Sequence, residues 1–320
     1  MLSRSPARTD EVIFRIGTGA FAVLLIAIVV GIAFALIKES WLSIVHFGWS
    51  FWQTDVWDPV AGEFGARPFI WGTLYSSLVA MLISTPIALG IAIFISELAP
   101  SSMQRPLVFL TELLAAIPSI VYGLWGIFVL VPAVRQLQVM TPEWLKAVPL
   151  FSGPPLGIGM LSAALILAIM VIPFSSAVAR EVLKAVPQSQ REGAYALGAT
   201  RWEAIRMALF YARTGIIGAI MLGFGRALGE TMAVTMVIGN SPQIALSLYA
   251  PQYTMAAVLA NEFAEATSDL YVHALVEIGL VLFVVTLIIN GLSRMLIWSM
   301  GRQRRPQNVA PVPARARSAA

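Results

Sequence analysis

Six apolar segments dominate the sequence, and each exceeds the roughly 20 residues that a helical membrane span requires. They comprise residues 14–37, 69–95, 107–131, 156–179, 207–239 and 272–298. Glycine and proline are interspersed among Leu, Ala, Ile and Met, as membrane helices tolerate, and no segment shows the short alternation of a membrane β-barrel. Because 58% of the residues are hydrophobic and only 12% charged, the chain lies outside the range of soluble globular domains. The sequence predicts an all-α membrane protein with six transmembrane helices.

The distribution of Lys and Arg orients these helices. If the amino terminus is cytosolic, the inner segments hold sixteen of the 21 basic residues, the outer segments hold four, and Arg226 lies within a span. Basic residues accumulate on the cytosolic side of membrane proteins, so both termini are predicted to be cytosolic. The excess of basic over acidic residues reflects this topology and does not indicate a nucleic-acid partner. Residues 300–320, rich in Arg, Pro and Ala, are expected to form a disordered cytosolic tail on anionic lipid.

The first apolar segment resembles a secretory signal, because basic residues precede it and the sequence Ala-Phe-Ala at 33–35 is typical of a cleavage site. Its uncharged run is longer than the about 7 to 15 apolar residues of such signals, so an uncleaved span is predicted. Residues 1–68 then comprise a cytosolic start, this span and a tryptophan-rich outer segment, which is expected to form an interfacial helix or loop. Residues 69–299 comprise the transmembrane domain.

Residue types that commonly hold metals are scarce. No cysteine occurs, which excludes disulfides, thiol catalysis and Cys-ligated metals together. His46 and His273 lie in or beside outer segments far apart in sequence, so a haem or copper centre is not expected. The sequence therefore predicts neither a metal site nor a catalytic residue.

Proline and turn signals refine the spans. Pro86 and Pro118 are expected to kink the second and third helices, and Glu112 is expected to form a polar helix end near the inner surface. The sequence Thr-Pro-Glu at 141–143 is typical of a helix cap followed by proline at the first helical position. Short outer helices are predicted there and across 254–263.

Two opposite charges lie within the fifth predicted span. Arg226 and Glu230 are four residues apart, so on a continuous helix they share a face and can form an ion pair. Arg226 lies thirteen residues beyond Arg213, roughly 20 Å along a helix and near the middle of the bilayer. Ionisable groups are costly at that depth and commonly mark a transport pathway. A self-neutralising pair that only stabilises helix packing is the alternative.

Small residues that allow close helix approach recur along the span at Gly215, Gly218, Ala219, Gly223, Gly225 and Gly229.

The cytosolic segment 180–213, between the fourth and fifth spans, carries six basic and three acidic residues. Two matches to the capping-box pattern, at 189–192 and 200–203, flank Gly198, which occupies the position of a left-handed terminating residue. Two short helices meeting at a sharp turn are therefore predicted. Such turn chemistry favours an ordered docking surface for a cytosolic partner over a passive basic loop. The side chains presented to the cytosol would be those of Tyr195, Leu197 and Trp202.

The stretch EGAYALGATRW at 192–202 resembles the EAA loop of ATP-binding-cassette (ABC) importer permeases. In that family the loop forms a coupling helix seated in a groove of the ATPase subunit. The match lies at Glu192, Ala194 and Gly198, with Gly193 in place of the middle alanine, and the sequence Phe-Tyr at 210–211 replaces the frequent Leu-Pro. The resemblance implies ATPase coupling through Glu192, Gly193, Ala194, Gly198, Arg201 and Trp202.

The runs GRALGETMAV at 225–234 and LLAAIPSIVYGLWG at 113–126 are similar to the permeases of phosphate importers, more to the PstC type than to the PstA type. The resemblance covers roughly residues 69–298 and implies the type I ABC importer permease fold in the bacterial inner membrane. It also implies a PstA-type second permease, two PstB-type ATP-binding subunits and an extracytoplasmic PstS-type phosphate-binding protein. Because this chain has no Gly-rich loop ending in Lys-Ser or Lys-Thr, ATP and Mg are expected on the ATPase subunits alone.

For phosphate, Arg226 is the expected pathway contact, because a guanidinium can donate two parallel hydrogen bonds to one anion and stays charged when dehydrated. Glu230 would balance this charge and weaken the hold on the anion, since a conducting site must release what it binds. We also expect Glu230 to accept a hydrogen bond from a protonated phosphate oxygen, which sulfate cannot donate.

Three alternatives remain. A permease for sulfate, molybdate or an organic solute would keep the coupling loop and lose the phosphate-specific role of the charged pair. An integral membrane enzyme would use Glu112, Glu230 and Glu277 as acids or metal ligands, although no His or carboxylate cluster at ligand spacing occurs in any span. A secondary transporter or channel would not co-purify with an ATPase subunit.

Overall fold

The computed structural model describes residues 6–301 of the chain, which are mostly helical. In chain order the helices are α1 (Pro6–Glu39), α2 (Trp41–Phe47), α3 (Arg67–Ile93), α4 (Ser101–Ala116), α5 (Ser119–Trp125), α6 (Val131–Met140), α7 (Glu143–Lys146), α8 (Met160–Lys184), α9 (Gln188–Ala196), α10 (Arg201–Leu228), α11 (Met232–Thr235), α12 (Met255–Glu262) and α13 (Asp269–Gly301). The strands β1 (Trp57–Asp58) and β2 (Glu63–Phe64) pair as an antiparallel hairpin. Short 3₁₀ turns occupy Gly48–Trp52 and Pro149–Phe151, and wider π turns occupy Phe94–Leu98 and Gly126–Leu130. From residue 302 onward, the tail expected to be disordered lies outside the described residues.

Six helical stretches are long and apolar enough to cross a membrane, which confirms the predicted number of spans. They are Phe14–Glu39, Arg67–Leu98, Ser119–Met140, Met160–Lys184, Arg201–Leu228 and Asp269–Ser299. An even number of crossings brings the two ends of the described chain to the same side, as the distribution of basic residues requires.

The third span begins later than the sequence pattern indicated. The expected kink at Pro118 is a complete break, because Ile117 and Pro118 have extended backbones with ψ of 129° and 141°. Proline lacks an amide proton and disfavours the helical region for the residue before it, so α4 ends there. α4 buries none of its residues and is a separate helix, while α5, the π turn and α6 build the span. The prediction of one helix over 107–131 is therefore wrong, whereas α3 continues through Pro86.

The helices α3 and α8 form the centre of the bundle, and α10 packs against α8. This last contact is close at two glycines. A Cβ added to Gly223 would lie 2.3 Å from Ser175 Oγ, and one added to Gly215 would lie 2.5 Å from Val182 Cγ1. Small residues permit such an approach of helix backbones, so the predicted small-residue contact is confirmed at these two positions.

The outer layer of the protein is built on α13. Phe51 and Phe64 are buried, and the Trp57 indole donates a 2.7 Å hydrogen bond to Glu262 Oε2. The tryptophan-rich outer segment thus folds as a helix, a turn and a hairpin against α12 and α13. The first span, α1, lies at the edge of the bundle, packs mainly against α13, and leaves most of its apolar side chains exposed within this chain.

Both predicted outer helices are present. Thr254 caps α12, because its hydroxyl accepts a 3.3 Å hydrogen bond from the Ala257 amide. α7 forms where the second helix was predicted, but Thr141 does not cap it. Instead the Thr141 hydroxyl donates to the carbonyl oxygen of Leu137 and shares a 2.9 Å hydrogen bond with the Tyr249 hydroxyl.

Candidate functional site

Arg226 lies in the last turn of α10, which ends at Leu228, so Glu230 lies beyond the helix. Gly229 adopts φ −94° and ψ 0°, and the chain resumes a helical turn only at α11. Among the described residues, no ion pair within 4 Å joins Arg226 to Glu230. The predicted pair is wrong, because the four-residue rule applies only within an unbroken helix and glycine weakens a helix interior.

Residues 229–231 interrupt the fifth span within the membrane, about 24 Å beyond Arg213 along the helix axis. Irregular backbone is tolerated at such depth only where it is buried in protein or lines a water-filled cavity. Two hydroxyl groups satisfy part of the interrupted backbone. Thr231 Oγ1 donates to the carbonyl oxygen of Gly229 at 3.3 Å, and Thr235 Oγ1 donates to that of Thr231 at 2.8 Å. Interrupted spans of this kind commonly form substrate sites in transporters.

The Arg226 side chain is exposed within this chain. Its guanidinium carbon lies over the ring of Phe174 on α8, 5.7 Å from the ring centroid. Among residues 6–301, its N–H groups have no hydrogen-bond acceptor and no carboxylate within ion-pair distance. An arginine with unused donors beside an interrupted span has the chemistry to bind an oxyanion.

The end of α10 is exposed within this chain. Leu222 and Arg226 are exposed four residues apart, and Gly229 follows three residues later, so the three lie on one side of the helix end. Nearer the cytosol the same side is buried, because Ala208 lies five full turns before Arg226 and packs against α8. The exposure is therefore confined to the end of the helix, where the Arg226 guanidinium lies over Phe174 of α8.

The cytosolic segment turns where predicted. Gly198 has φ of +80°, a left-handed conformation that suits glycine at the end of α9. Thr200 and Glu203 form the predicted capping box, with the Glu203 amide donating to Thr200 Oγ1 at 3.4 Å and the Thr200 amide donating to Glu203 Oε2 at 2.7 Å. The box predicted at Ser189 is wrong, because Pro187 precedes the first residue of α9 and Ser189 lies inside that helix.

The second of the two predicted short helices needs correction. The residues that follow the capping box begin α10, a helix of 28 residues that continues into the fifth span. Its backbone hydrogen bonds are continuous from the cytosolic turn to the last turn before the interruption. One continuous helix therefore connects the cytosolic turn to Arg226.

The residues expected to face an ATPase subunit fall into two groups. The exposed group consists of Glu192, Gly193, Gly198, Arg201 and Trp202. Ala194 is buried, and the Arg201 guanidinium extends to the end of the second span, where it donates to the carbonyl oxygen of Glu97 at 2.8 Å. Beside the exposed group, Leu197 is 90% exposed, and an apolar side chain in that position indicates a contact surface.

A groove of about 1040 Å³ opens between α9 and the first turns of α10. Its lining is largely apolar and includes Ala194, Leu197, Met207, Phe210 and, among its polar members, Glu203 and Arg206. An open apolar groove beside an exposed leucine fits the docking of a protein partner better than the binding of a small polar solute.

Glu97 was not among the predicted site residues. It lies in the π turn that ends the second span, and its carboxylate accepts two hydrogen bonds from the Arg191 guanidinium of α9, at 3.1 and 2.6 Å. The available signal was a carboxylate at the inner end of an apolar segment, which by itself indicates only a polar helix end. The two residues are separated by 94 positions, so only the packed structure brings them together.

The remaining carboxylates of the enzyme hypothesis have separate surroundings. Glu112 is exposed on α4, with its Oε1 3.6 Å from Arg180 Nη2. Glu277 is buried in α13, and its Oε2 has no hydrogen-bond partner. In the part of the chain that the structure describes, no three His, Asp or Glu side chains come together as a metal site.

A family model described as the inner membrane component of binding-protein-dependent transport systems matches residues 60–300. The chain belongs to this family. It is accordingly a multi-pass inner-membrane protein and a permease subunit of an ABC transporter.

Curated relatives match nearly the whole chain. The phosphate transport system permease protein PstC of Mesorhizobium japonicum is 46% identical over 297 residues, which cover 91% of this chain and 90% of the relative. The protein of the same name from Pasteurella multocida is 47% identical over 294 residues, with 90% and 91% covered.

Solved structures agree on the fold. A chain of the MetNI methionine ABC transporter, in an inward-facing conformation, superposes with a TM-score of 0.54 at 17% identity, covering 72% of this chain and 93% of that chain. A second inward-facing crystal form of MetNI superposes with a TM-score of 0.55 at 16% identity. At such low identity the likeness supports the type I ABC importer permease fold and no substrate.

Proposed function

We propose that this chain is a PstC-type permease subunit that conducts inorganic phosphate into the cell in an ATP-driven importer. The observation that carries the proposal is its 46% identity, over 91% of its length, to a phosphate transport permease. The site chemistry agrees, because the interrupted fifth span offers an arginine with unused donors to an oxyanion.

In this proposal Arg226 is the pathway contact for phosphate. Its guanidinium carbon lies over the Phe174 ring, a contact that uses no hydrogen-bond donor and leaves the N–H groups for two oxygens of one anion. Glu230 contributes without pairing to Arg226 directly. Lying past the helix end, it lowers the net positive potential of the site and accepts a hydrogen bond from a protonated phosphate oxygen.

The partners follow from the surfaces that this chain leaves open. The exposed end of α10 that contains Arg226 would face a PstA-type second permease, so that both subunits enclose the pathway. Two PstB-type ATPase subunits would bind ATP and Mg, and one of them would dock on α9 and its groove. A PstS-type phosphate-binding protein would deliver the anion from outside. Membrane lipid would cover the exposed apolar faces.

Coupling in this proposal runs through the cytosolic turn. Glu192, Gly193 and Trp202 supply exposed contacts, Gly198 supplies the left-handed turn, and Ala194 allows close packing at the groove. Since α10 is continuous from this turn to Arg226, movement of a docked ATPase subunit reaches the pathway residue through one helix. The chain itself couples hydrolysis to transport and does not catalyse it.

The test is uptake of labelled phosphate, at micromolar concentration with excess unlabelled sulfate, by a bacterial strain that lacks this permease. Wild type is expected to restore sulfate-resistant uptake and Arg226→Gln to abolish it, at equal levels of membrane protein. Arg294→Gln, which removes an exposed cation from α13, is the matched control and should behave as wild type. If excess sulfate abolishes the uptake, or if wild type restores none, phosphate is not the substrate. Sulfate, molybdate or an organic solute would then be the substrate to test.

A further inference from the structure

The inner end of the second span is tied to α9 by an ion pair with two hydrogen bonds, and two more hydrogen bonds hold the same arginine to the end of α8. The Arg191 guanidinium donates to both carboxylate oxygens of Glu97, at 3.1 and 2.6 Å, and also to the carbonyl oxygens of Val186 and Leu183, at 2.9 and 3.0 Å. The Glu97 side chain is only 9% exposed and that of Arg191 21%. A bidentate, partly buried ion pair of this kind holds the guanidinium and the carboxylate in one geometry.

Arg201, at the start of α10, adds a second tie to the same residue. It donates to the carbonyl oxygen of Glu97 at 2.8 Å. Both helices that flank the turn at Gly198 therefore hold one residue of the second span. That residue lies in a π turn, an irregularity that is frequent at functional sites.

The outer end of the same span is tied to the segment that follows the interruption near Arg226. Trp71 Nε1 donates to the carbonyl oxygen of Ala245 at 3.1 Å, and the Tyr75 hydroxyl donates to that of Leu246 at 2.7 Å. In addition, Thr73 Oγ1 accepts a 2.9 Å hydrogen bond from the Met255 amide.

Between these ties lie α3 and the π turn that continues it at Phe94–Leu98. Glu97 and Thr73 are 24 positions apart, which corresponds to about 36 Å along a helix axis. The helix is supported by α8 on both halves, through Ala80 and Met81 in one cluster and Ala92 in another. A helix held at both ends and supported along its side moves as a unit and transmits displacement at one end to the other.

We propose that Glu97 and Arg191 form a joint through which movement of α9 is passed to the second span and, at its far end, to the outer segment 241–255. The joint adds a second route beside the one through α10. Movement of a docked ATPase subunit would then displace both the cytosolic side and the outer side of the pathway. This inference rests on the proposed function, because it takes α9 as the element that an ATPase subunit moves. Glu97 and Arg191 are positioning residues and do not contact phosphate.

The first test measures phosphate transported per ATP hydrolysed by the complete complex reconstituted in liposomes. Glu97→Gln, Arg191→Gln and the double variant are each expected to lower this ratio at least about 5-fold while ATPase activity persists, since coupling between sites is commonly worth that factor or more. If the residues act through one bond, the double variant is no worse than the more severe single variant. Arg191→Lys, which keeps the charge but loses the two-pronged contact, should be intermediate.

A matched control removes a cytosolic charge outside the joint. Glu112→Gln affects an exposed carboxylate on α4, a helix that buries none of its residues. This variant should keep the wild-type ratio. An unchanged ratio in Glu97→Gln and Arg191→Gln would overturn the proposal. So would failure of these variants to co-purify with the ATPase subunits, which would make the pair a folding element.

The second test reads the outer segment directly. Since the chain contains no cysteine, Ile244→Cys introduces a single thiol into a partly exposed position of that segment. Its rate of labelling is expected to differ between nucleotide-free and ATP-trapped complexes, and this difference should shrink when Glu97→Gln is added, since only the route through α10 then remains. A difference that Glu97→Gln leaves unchanged contradicts the joint. If the wild-type complex moves no phosphate, the proposed function fails instead, so the two failures are separable.

Discussion

Arg226 lies over the ring of Phe174, with 5.7 Å between its guanidinium carbon and the ring centroid. This contact joins the last turn of α10 to α8 and orients the cation without consuming its hydrogen-bond donors. The arginine is therefore held in place and still able to bind an anion. The opposing carboxylate expected from sequence, Glu230, does not fill that role, because the helix ends between the two residues.

Replacing Phe174 tests whether this contact positions Arg226. Phe174→Leu is expected to raise the KM for phosphate transport about 2- to 5-fold. This factor corresponds to the free energy that a cation–π contact contributes at a partly exposed site. Phe174→Tyr should keep the contact and the KM. Phe128→Leu, an exposed phenylalanine of the third span, is the control. Equal KM values for all variants would show that the ring contributes only packing.

Removing the carboxylate charge tests the role of Glu230 in selectivity. In Glu230→Gln we expect the preference for phosphate over sulfate to fall about 10-fold, because a hydrogen bond to a charged acceptor is worth more than one to a neutral amide. The measurement is the sulfate concentration that halves phosphate uptake by cells producing equal amounts of each variant. A preference unchanged from wild type would contradict the proposed role.

A charge reversal at Glu192 tests the docking surface. Glu192→Lys is expected to leave insertion and total protein unchanged while phosphate uptake falls at least about 10-fold, since like charges placed across an interface cost several kcal/mol. ATPase activity in the isolated complex should no longer respond to phosphate and its binding protein. The control is Glu11→Lys, which reverses another exposed charge. Loss of insertion would instead identify the loop as structural.

A pair of glycine substitutions tests the contact between α10 and α8. A Cβ at Gly223 would lie 2.3 Å from Ser175 Oγ, whereas one at Gly218 would meet its nearest atom at 3.8 Å. Alanine favours the helix equally at both positions, so only the packing differs. Gly223→Ala is expected to destabilise the protein by about 1–3 kcal/mol, and Gly218→Ala to be neutral or stabilising. Thermal unfolding in detergent measures both, and equal shifts would contradict the close packing.

Several features were predictable because their causes are local. The six spans follow from length and apolar content, the turn at Gly198 follows from the need for a left-handed residue, and the Thr200 capping box joins groups three positions apart. The family resemblance implied a coupling role for 192–202 and phosphate as the substrate, neither of which spacing alone provides.

Two local rules failed where the surrounding structure decided the outcome. A proline within a span either kinks the helix or ends it. The helix continues where neighbouring groups satisfy the backbone carbonyl groups that proline leaves without a hydrogen bond. Thus α3 continues through Pro86, whereas Pro118 separates α4 from α5. The ion pair between Arg226 and Glu230 likewise assumed a helix that the chain interrupts at Gly229.

The sequence by itself determined that this chain crosses a membrane six times, that its basic side is cytosolic, and that a sharp turn precedes the fifth span. It determined them because apolar length, the placement of Lys and Arg, and turn chemistry act over a few residues or a single span. Only the tertiary structure decided that Glu97 meets Arg191, 94 positions away, and that Arg226 lies over Phe174 while its donors stay exposed. Those relationships depend on how α3, α8, α9 and α10 pack, and packing is a property of the assembled helices.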